Sequence, residues 1–356
     1  MLLNSFKYKT SGWNLSDITA LKQTNLIVGN NASGKTRSIN ALKDVASFML
    51  MKSVDAFKSR NFRTTLTFTD SGAGENWQME YSFEIIDGKI VYELLKVCGV
   101  TLLKRNAGGT VLKGESINPP VDRLTVQVRR DRESYPEIEK LMAWAESVIV
   151  VSCSNINPFT SFSQLPDFIN PLSMCDLVEK LSTSEKKRVI KLAKELGYDI
   201  QEIAVAAIGE IKLVAIKEKY VSKPIPSLYL SSGMLRVLYL LCFISHMRHD
   251  KQYRLLLIDD LGEGLDYRRA TMLGKMVFDA CEQEKIQLIA SSNDTFLMDV
   301  VDISKWQILR RSKTKIRALN DENSREMFSY FRMTGLSNFD FFSSDFIDDY
   351  LSKAAK

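Results

Sequence analysis

The chain has 356 residues, 45% hydrophobic and 26% charged, with a net charge of +5. That length holds one large domain or two ordinary ones, and the composition excludes disordered, fibrous and disulfide-rich classes. Five cysteines without C-x-x-C spacing, a start without signal-peptide layout, and apolar runs no longer than 237–244 argue against a zinc site and a membrane span, and for a cytoplasmic protein.

Apolar runs at 6–8 and 26–28 predict strands, with Asn14-Leu15-Ser16-Asp17 in the turn region between them. The second run leads into Gly29-Asn30-Asn31-Ala32-Ser33-Gly34-Lys35-Thr36, which satisfies G-x-x-x-x-G-K-[ST]. A helix follows over 37–51, with Ile39, Leu42, Val45, Ala46 and Met49 on one face. In that context Gly29 and Gly34 let the backbone aim successive N–H groups at a phosphate, and the helix adds its positive end. Lys35 neutralises the phosphates and Thr36 ligates Mg²⁺.

Alternation at 62–68 and 77–86 predicts strands, and Asp87-Gly88 turns the chain into a further strand at 89–95. Strands at 101–104 and 110–112 are joined by Asn106-Ala107-Gly108-Gly109. Beyond Pro119-Pro120 the pattern predicts helices at 135–146, 174–181 and 183–196, short strands at 148–151 and 211–216, and a loop over 152–171. The last third alternates again: helix 235–246, strand 255–258, helix 270–284, and strands 286–290 and 306–310. Such alternation implies a parallel sheet. The division read from this is a nucleotide-binding α/β core at 1–59 and 225–320, an antiparallel β-lobe at 60–118, a helical lobe at 119–224 and a tail at 321–356.

Leu255-Leu256-Leu257-Ile258-Asp259-Asp260 has the Walker B layout, in which Asp259 holds Mg²⁺ through its water shell and Asp260 orients or deprotonates the attacking water. Leu230-Ser231-Ser232-Gly233-Met234-Leu235-Arg236 opens the preceding helix; Ser232 as N-cap would explain a serine there, but its place between P-loop and Walker B favours a second phosphate-binding surface.

This stretch resembles the signature of ABC-type ATPases. Asp259 to Asp266 aligns without gaps on their DEPTSALD-type segment, with Asp266 on the D-loop aspartate, and Asn293 follows the strand that carries their switch residue. The order of motifs resembles the SMC/RecF/OLD-like group of ABC-type, AAA-family ATPases, without a coiled-coil arm or a Toprim nuclease domain. The resemblance implies an α/β P-loop ATPase head that binds ATP and Mg²⁺. In it, residues 29–36 with Arg37 would hold nucleotide, and Lys35 and Asp260 would be catalytic. Two heads would close head-to-tail, each applying Ser231, Ser232, Gly233, Arg236 and Asp266 to the other's nucleotide. Two departures, Asp260 for the usual glutamate and Asn293 for the switch histidine, imply slow hydrolysis.

The end of the chain soon after Arg310 leaves no room for an OLD-type nuclease, so the expected effector is a separate protein, with DNA a further partner. Basic clusters stand at Arg60/Arg63, Arg129/Arg130/Arg132, Lys186/Lys187/Arg188/Lys191 and Arg310/Arg311/Lys313/Lys315/Arg317. Gln127 and Gln78 are both candidates for a Q-loop glutamine, and both read equally as surface strand residues. His246 and His249 read as solvated or helix-capping. The aromatic–acidic stretch 338–350 reads first as packed on its own domain, with docking of a partner protein as the alternative.

Overall fold

The computed structural model describes residues 1–51, 61–70, 72, 77–153, 156, 173–208, 211–248, 255–343, 346, 347, 349 and 350. The chain begins with β1 (Leu2–Lys9) and β2 (Asn14–Ile18), an antiparallel pair, so Asn14 to Asp17 is a strand and not part of a turn. Inward-facing Leu15 and Ile18, with pairing to two neighbours, outweigh the turn-forming side chains between them. Then come β3 (Thr24–Val28) and α1 (Lys35–Leu50). The antiparallel run holds β4 (Phe62–Thr69), β5 (Gln78–Ile86), β6 (Lys89–Val97), β7 (Val100–Asn106), β8 (Gly109–Leu112) and β9 (Glu115–Ile117). The next stretch carries α2 (Thr125–Val128), α3 (Pro136–Glu146), β10 (Val148–Ser152), α4 (Met174–Lys180), α5 (Thr183–Glu195), β11 (Ile200–Ile208), β12 (Ile211–Glu218) and β13 (Ile225–Pro226). The last third holds α6 (Ser232–Met247), β14 (Leu255–Asp259), α7 (Tyr267–Gln283), β15 (Gln287–Ser291), α8 (Thr295–Val300), β16 (Trp306–Ser312), β17 (Lys315–Leu319), α9 (Arg325–Thr334) and α10 (Asn338–Ser343).

Fourteen of these strands form one sheet in the order β10-β14-β15-β3-β16-β17-β2-β1-β4-β5-β6-β7-β8-β9. The first five run parallel. From β1 to β9 every pairing is antiparallel. The span 119–224, expected as a helical lobe, therefore also supplies β10 to the parallel core, and β11–β13 form a second, three-stranded sheet. The loop expected at 152–171 lies largely outside the described residues, as do Arg60 and His249.

The parallel strands are buried on both sides, which is why they read as unbroken apolar runs. Ile27, Leu255, Leu257 and Ile289 face α1, while Leu26, Val28, Leu256, Ile258, Leu288 and Ala290 belong to the cluster with α6 and α7. On the second side the C-terminal aromatics pack on their own domain: Phe341 lies 4.3 Å from Phe331 and 6.4 Å from Trp306, ring to ring. Among the described residues no helix is long and apolar enough to cross a membrane.

One polar chain ties the antiparallel strands to α1. Glu93, wholly buried on β6, accepts hydrogen bonds from Tyr81 Oη (2.9 Å) and from the backbone N–H groups of Thr125 (2.7 Å) and Val126 (3.3 Å) at the start of α2. Burial pushes its carboxyl up, against those hydrogen bonds. Two residues into α2, Gln127 Nε2 donates to the carbonyls of Phe48 (2.7 Å) and Met51 (3.1 Å), and its Oε1 accepts from Leu124 N–H (2.8 Å). Gln127 is thus not a surface strand residue; its amide is engaged at the C-terminal end of α1, which it caps. Gln78 begins β5, exposed. The Gln127→Ala variant leaves the Met51 carbonyl and the Leu124 N–H without partners, while the Phe48 carbonyl keeps only the Met51 N–H. It is expected to unfold in urea with about 1–3 kcal/mol less stability at an unchanged m-value.

Candidate nucleotide site

The loop 29–34 is shaped by what surrounds it. A Cβ on Gly29 would lie 2.4 Å from Ser33 Oγ and 3.0 Å from the Leu309 carbonyl, so only glycine lets the turn close against β16. Ala32 and Gly34 both take positive φ, 61° and 108°. Gly34 also lies against Trp13, whose buried ring supports the Arg37 guanidinium at 4.8 Å. Arg311 Nη1 donates to the Ala32 carbonyl at 3.2 Å, which fixes the outer side of the loop. Asn30, Asn31, Thr36 and Arg37 are exposed at its mouth.

Lys35 opens α1 and is largely buried. Its Nζ donates to the carbonyls of Gly29 (2.5 Å) and Asn30 (3.2 Å). Burial lowers its pKa, and the charges of Asp260 and Asp259 pull it back up. Ser33 Oγ is buried without a hydrogen-bond partner. A buried ammonium satisfied only by carbonyls and an unpartnered hydroxyl make a donor set suited to phosphate oxygens, so the residues present fit the expected nucleotide.

The carboxylates come from the end of β14, separated from β3 by β15. Ser291, which ends β15, holds both: its Oγ donates to Asp259 Oδ1 (2.6 Å) and accepts from Asp260 N–H (3.0 Å). Ser292 Oγ donates to the Leu261 carbonyl (2.7 Å). These two serines were not among the expected site residues. The only signal for them is a serine pair at the end of an apolar strand. Asn293, beside them, is exposed just ahead of α8.

Ser231, not Ser232, caps α6, its Oγ accepting from Met234 N–H at 3.3 Å. Ser232 is the first helical residue. Arg236 donates from Nε to the Cys153 carbonyl (2.6 Å) and from Nη1 to the Glu263 carbonyl. A Cβ on Gly264, where φ is 73°, would meet that guanidinium at 2.6 Å. A Cβ on Gly233 would meet Leu265 at 3.2 Å. Asp266 caps α7 through Arg269 N–H (3.1 Å), and Arg269 hydrogen bonds hold its carboxyl below the ordinary range. The geometry thus brings Lys35, Asp259, Asp260 and Arg236 into one electrostatic neighbourhood. Among the described residues, no hydrogen bond links 231–233 or Asp266 to 29–37.

Two of the basic clusters also meet. Lys315 pairs with Asn14, Asn14 with Lys9, and Lys9 with Arg63, a row across four adjacent strands. Arg63 in this row also pairs with Glu84 (3.6 Å), and Arg130, outside it, pairs with Glu139 (2.6 Å) and Glu146 (3.4 Å).

Asp260 has φ 58°, and its carboxyl is raised by burial first, then by Asp259 and Glu263, against Lys35 and Arg236. The native state therefore binds this proton more tightly than the unfolded chain. Ionised Asp260 lowers stability at neutral pH, and the penalty fades as pH falls through the raised value. Without nucleotide or Mg²⁺, Asp260→Asn is expected to raise Tm by about 1–2 °C at pH 7.5 and by less at pH 4.5, read by scanning calorimetry.

No protein-family model matches the sequence, and no curated protein matches it. Solved structures do. An SMC head bound to the C-winged helix domain of ScpA superposes with a TM-score of 0.54 at 10% identity, over 90% of this chain and 98% of that one. An Smc head with an extended coiled coil, bound to the C-terminal domain of ScpA and derived from Pyrococcus furiosus, gives 0.54 at 9% identity, over 93% and 99%. The SMC head domain from Thermotoga maritima gives 0.49 at 12% identity, over 90% and 99%. At such identities the likeness is one of fold: the chain has the α/β head fold of the SMC structures, with the 29–36 loop between β3 and α1.

Proposed function

We propose that the protein is a slow ATPase that works as a molecular switch. The observation that carries this reading is the convergence of the Lys35 loop with Asp259 and Asp260 across β3, β15 and β14. Backbone N–H groups of 29–34 and the start of α1 would cradle the phosphates, with Lys35 turning from loop carbonyls to phosphate oxygens. Thr36 and Asp259 would hold Mg²⁺, which supplies charge neutralisation at the phosphates. Asp260 would take the proton of the attacking water, and its raised pKa makes it a better base than an ordinary carboxylate. Residues 231–233 and Asp266 would complete the site on a second copy, closed head-to-tail.

The biological reading is a cytoplasmic ATPase in DNA-related or anti-phage defence, acting with a separately encoded effector. The basic row Lys315, Lys9 and Arg63 supports a phosphate backbone as partner. The rival is a regulatory ATPase that binds protein alone. The partnership of the neighbouring SMC heads with ScpA makes a protein partner a natural reading as well.

Lys35→Ala is expected to weaken ATP binding by about 100-fold or more, and Asp260→Asn to keep binding while slowing turnover by about 100-fold or more. Light scattering should find a larger species with ATP that Asp260→Asn traps. Normal ATP binding in Lys35→Ala overturns the nucleotide site, and a mass indifferent to ATP overturns head-to-tail closure.

If the basic row contacts DNA, affinity falls steeply with salt, and Lys9→Ala with Lys315→Ala lowers the log–log slope by about 2. No DNA binding at low salt selects the protein-only reading.

A further inference from the structure

A cleft of about 350 Å³ lies on the side of the sheet away from α1, lined by Ser184, Glu185, Arg188, Ser245, Arg248 and Glu284. The first turns of α5 face the C-terminal ends of α6 and α7 across it. Two of its polar atoms have no hydrogen-bond partner: Ser245 Oγ, on a residue with no exposure, and Arg188 Nη1. Leaving a buried hydroxyl and a guanidinium N–H unsatisfied is costly, and such groups in native proteins are completed by a water, an ion or a ligand.

The charges around the cleft are unevenly committed. Arg248 donates its Nε–H to Glu284 at 3.0 Å, which neutralises that carboxylate. Glu185 turns back to accept Ser182 N–H at 2.6 Å in the cap of α5. Arg188 has no carboxylate within ion-pair distance among the described residues. Lys186, Lys187 and Lys191 on the same helix add to the positive field. What is left over is donor capacity: a guanidinium edge, a buried hydroxyl, and the positive end of α5.

We propose that this cleft is a second anion site, distinct from the 29–36 loop, that binds the phosphate group of a small phosphomonoester. Phosphate matches planar guanidinium donors, and its several oxygens can take a hydroxyl donor at the same time. The volume leaves room for an organic group beyond the phosphate. The site touches the far ends of α6 and α7, the helices that begin at Ser231–Ser232 and Asp266. Its existence does not rest on the ATPase reading.

The test is equilibrium dialysis of the full chain with labelled inorganic phosphate, in the native protein and in Lys35→Ala, Arg188→Gln and Ser245→Ala. Lys35→Ala should retain saturable phosphate binding. Arg188→Gln should weaken that binding by about tenfold, and Ser245→Ala by about threefold, with ATP binding at the P-loop unchanged in both. Ser245→Ala removes an unpartnered hydroxyl from a helix, so its effect reads the ligand and not the fold. Loss of all phosphate binding in Lys35→Ala overturns the proposal. So does saturable binding in Lys35→Ala that neither Arg188→Gln nor Ser245→Ala weakens.

Discussion

The ammonium of Lys35 lies almost wholly out of water, and much of the molecule is arranged to keep it there charged. Burial disfavours its charged form, and two loop carbonyls and two carboxylates oppose that. The carbonyls reach it because Gly29 can close against Leu309 and Ser33. The carboxylates stay in place because Ser291 holds Asp259 and the Asp260 backbone from the neighbouring strand. Order across β3, β15 and β14 is thus an electrostatic requirement as much as a packing result.

The strands and helices of the core were legible because their signals are local. β3 and β14 are apolar runs ending in a glycine turn or an acidic pair, and α1 carries its apolar face at helical spacing. What escaped reading depends on distant partners. β2 is rich in Asn, Ser and Asp, and only pairing with β1 and β17 makes it a strand. β11 reads Ile-Gln-Glu-Ile-Ala-Val-Ala-Ala-Ile, without clear alternation, and is held by its full-length ladder with β12. The cap of α6 was missed by one residue, since either serine suits the role and only backbone geometry chooses Ser231.

The site was legible where a motif names its atoms and obscure where a side chain serves the backbone. Gln127 was weighed as a Q-loop glutamine or a surface strand residue, yet its amide satisfies helix-end carbonyls remote in sequence. Ser291 and Ser292 carry no motif, but without them the Walker B carboxylates would lack their bracket. Arg236 was read as facing a partner's nucleotide. In the single chain its donors are engaged by Cys153 and Glu263.

That engagement makes Arg236 a mechanical knot. One guanidinium joins three segments: the chain leaving β10, the start of α6, and the turn that runs from Asp260 to Asp266. Gly264 has no side chain to keep them apart. Glu263, Gly264 and Asp266 are exposed, so the guanidinium is the turn's tie to the head of α6. A displacement of the turn would be passed through that guanidinium to the head of α6, where Ser231 and Ser232 are exposed. The three segments would then respond to an event at Asp260 together, coupled through Arg236.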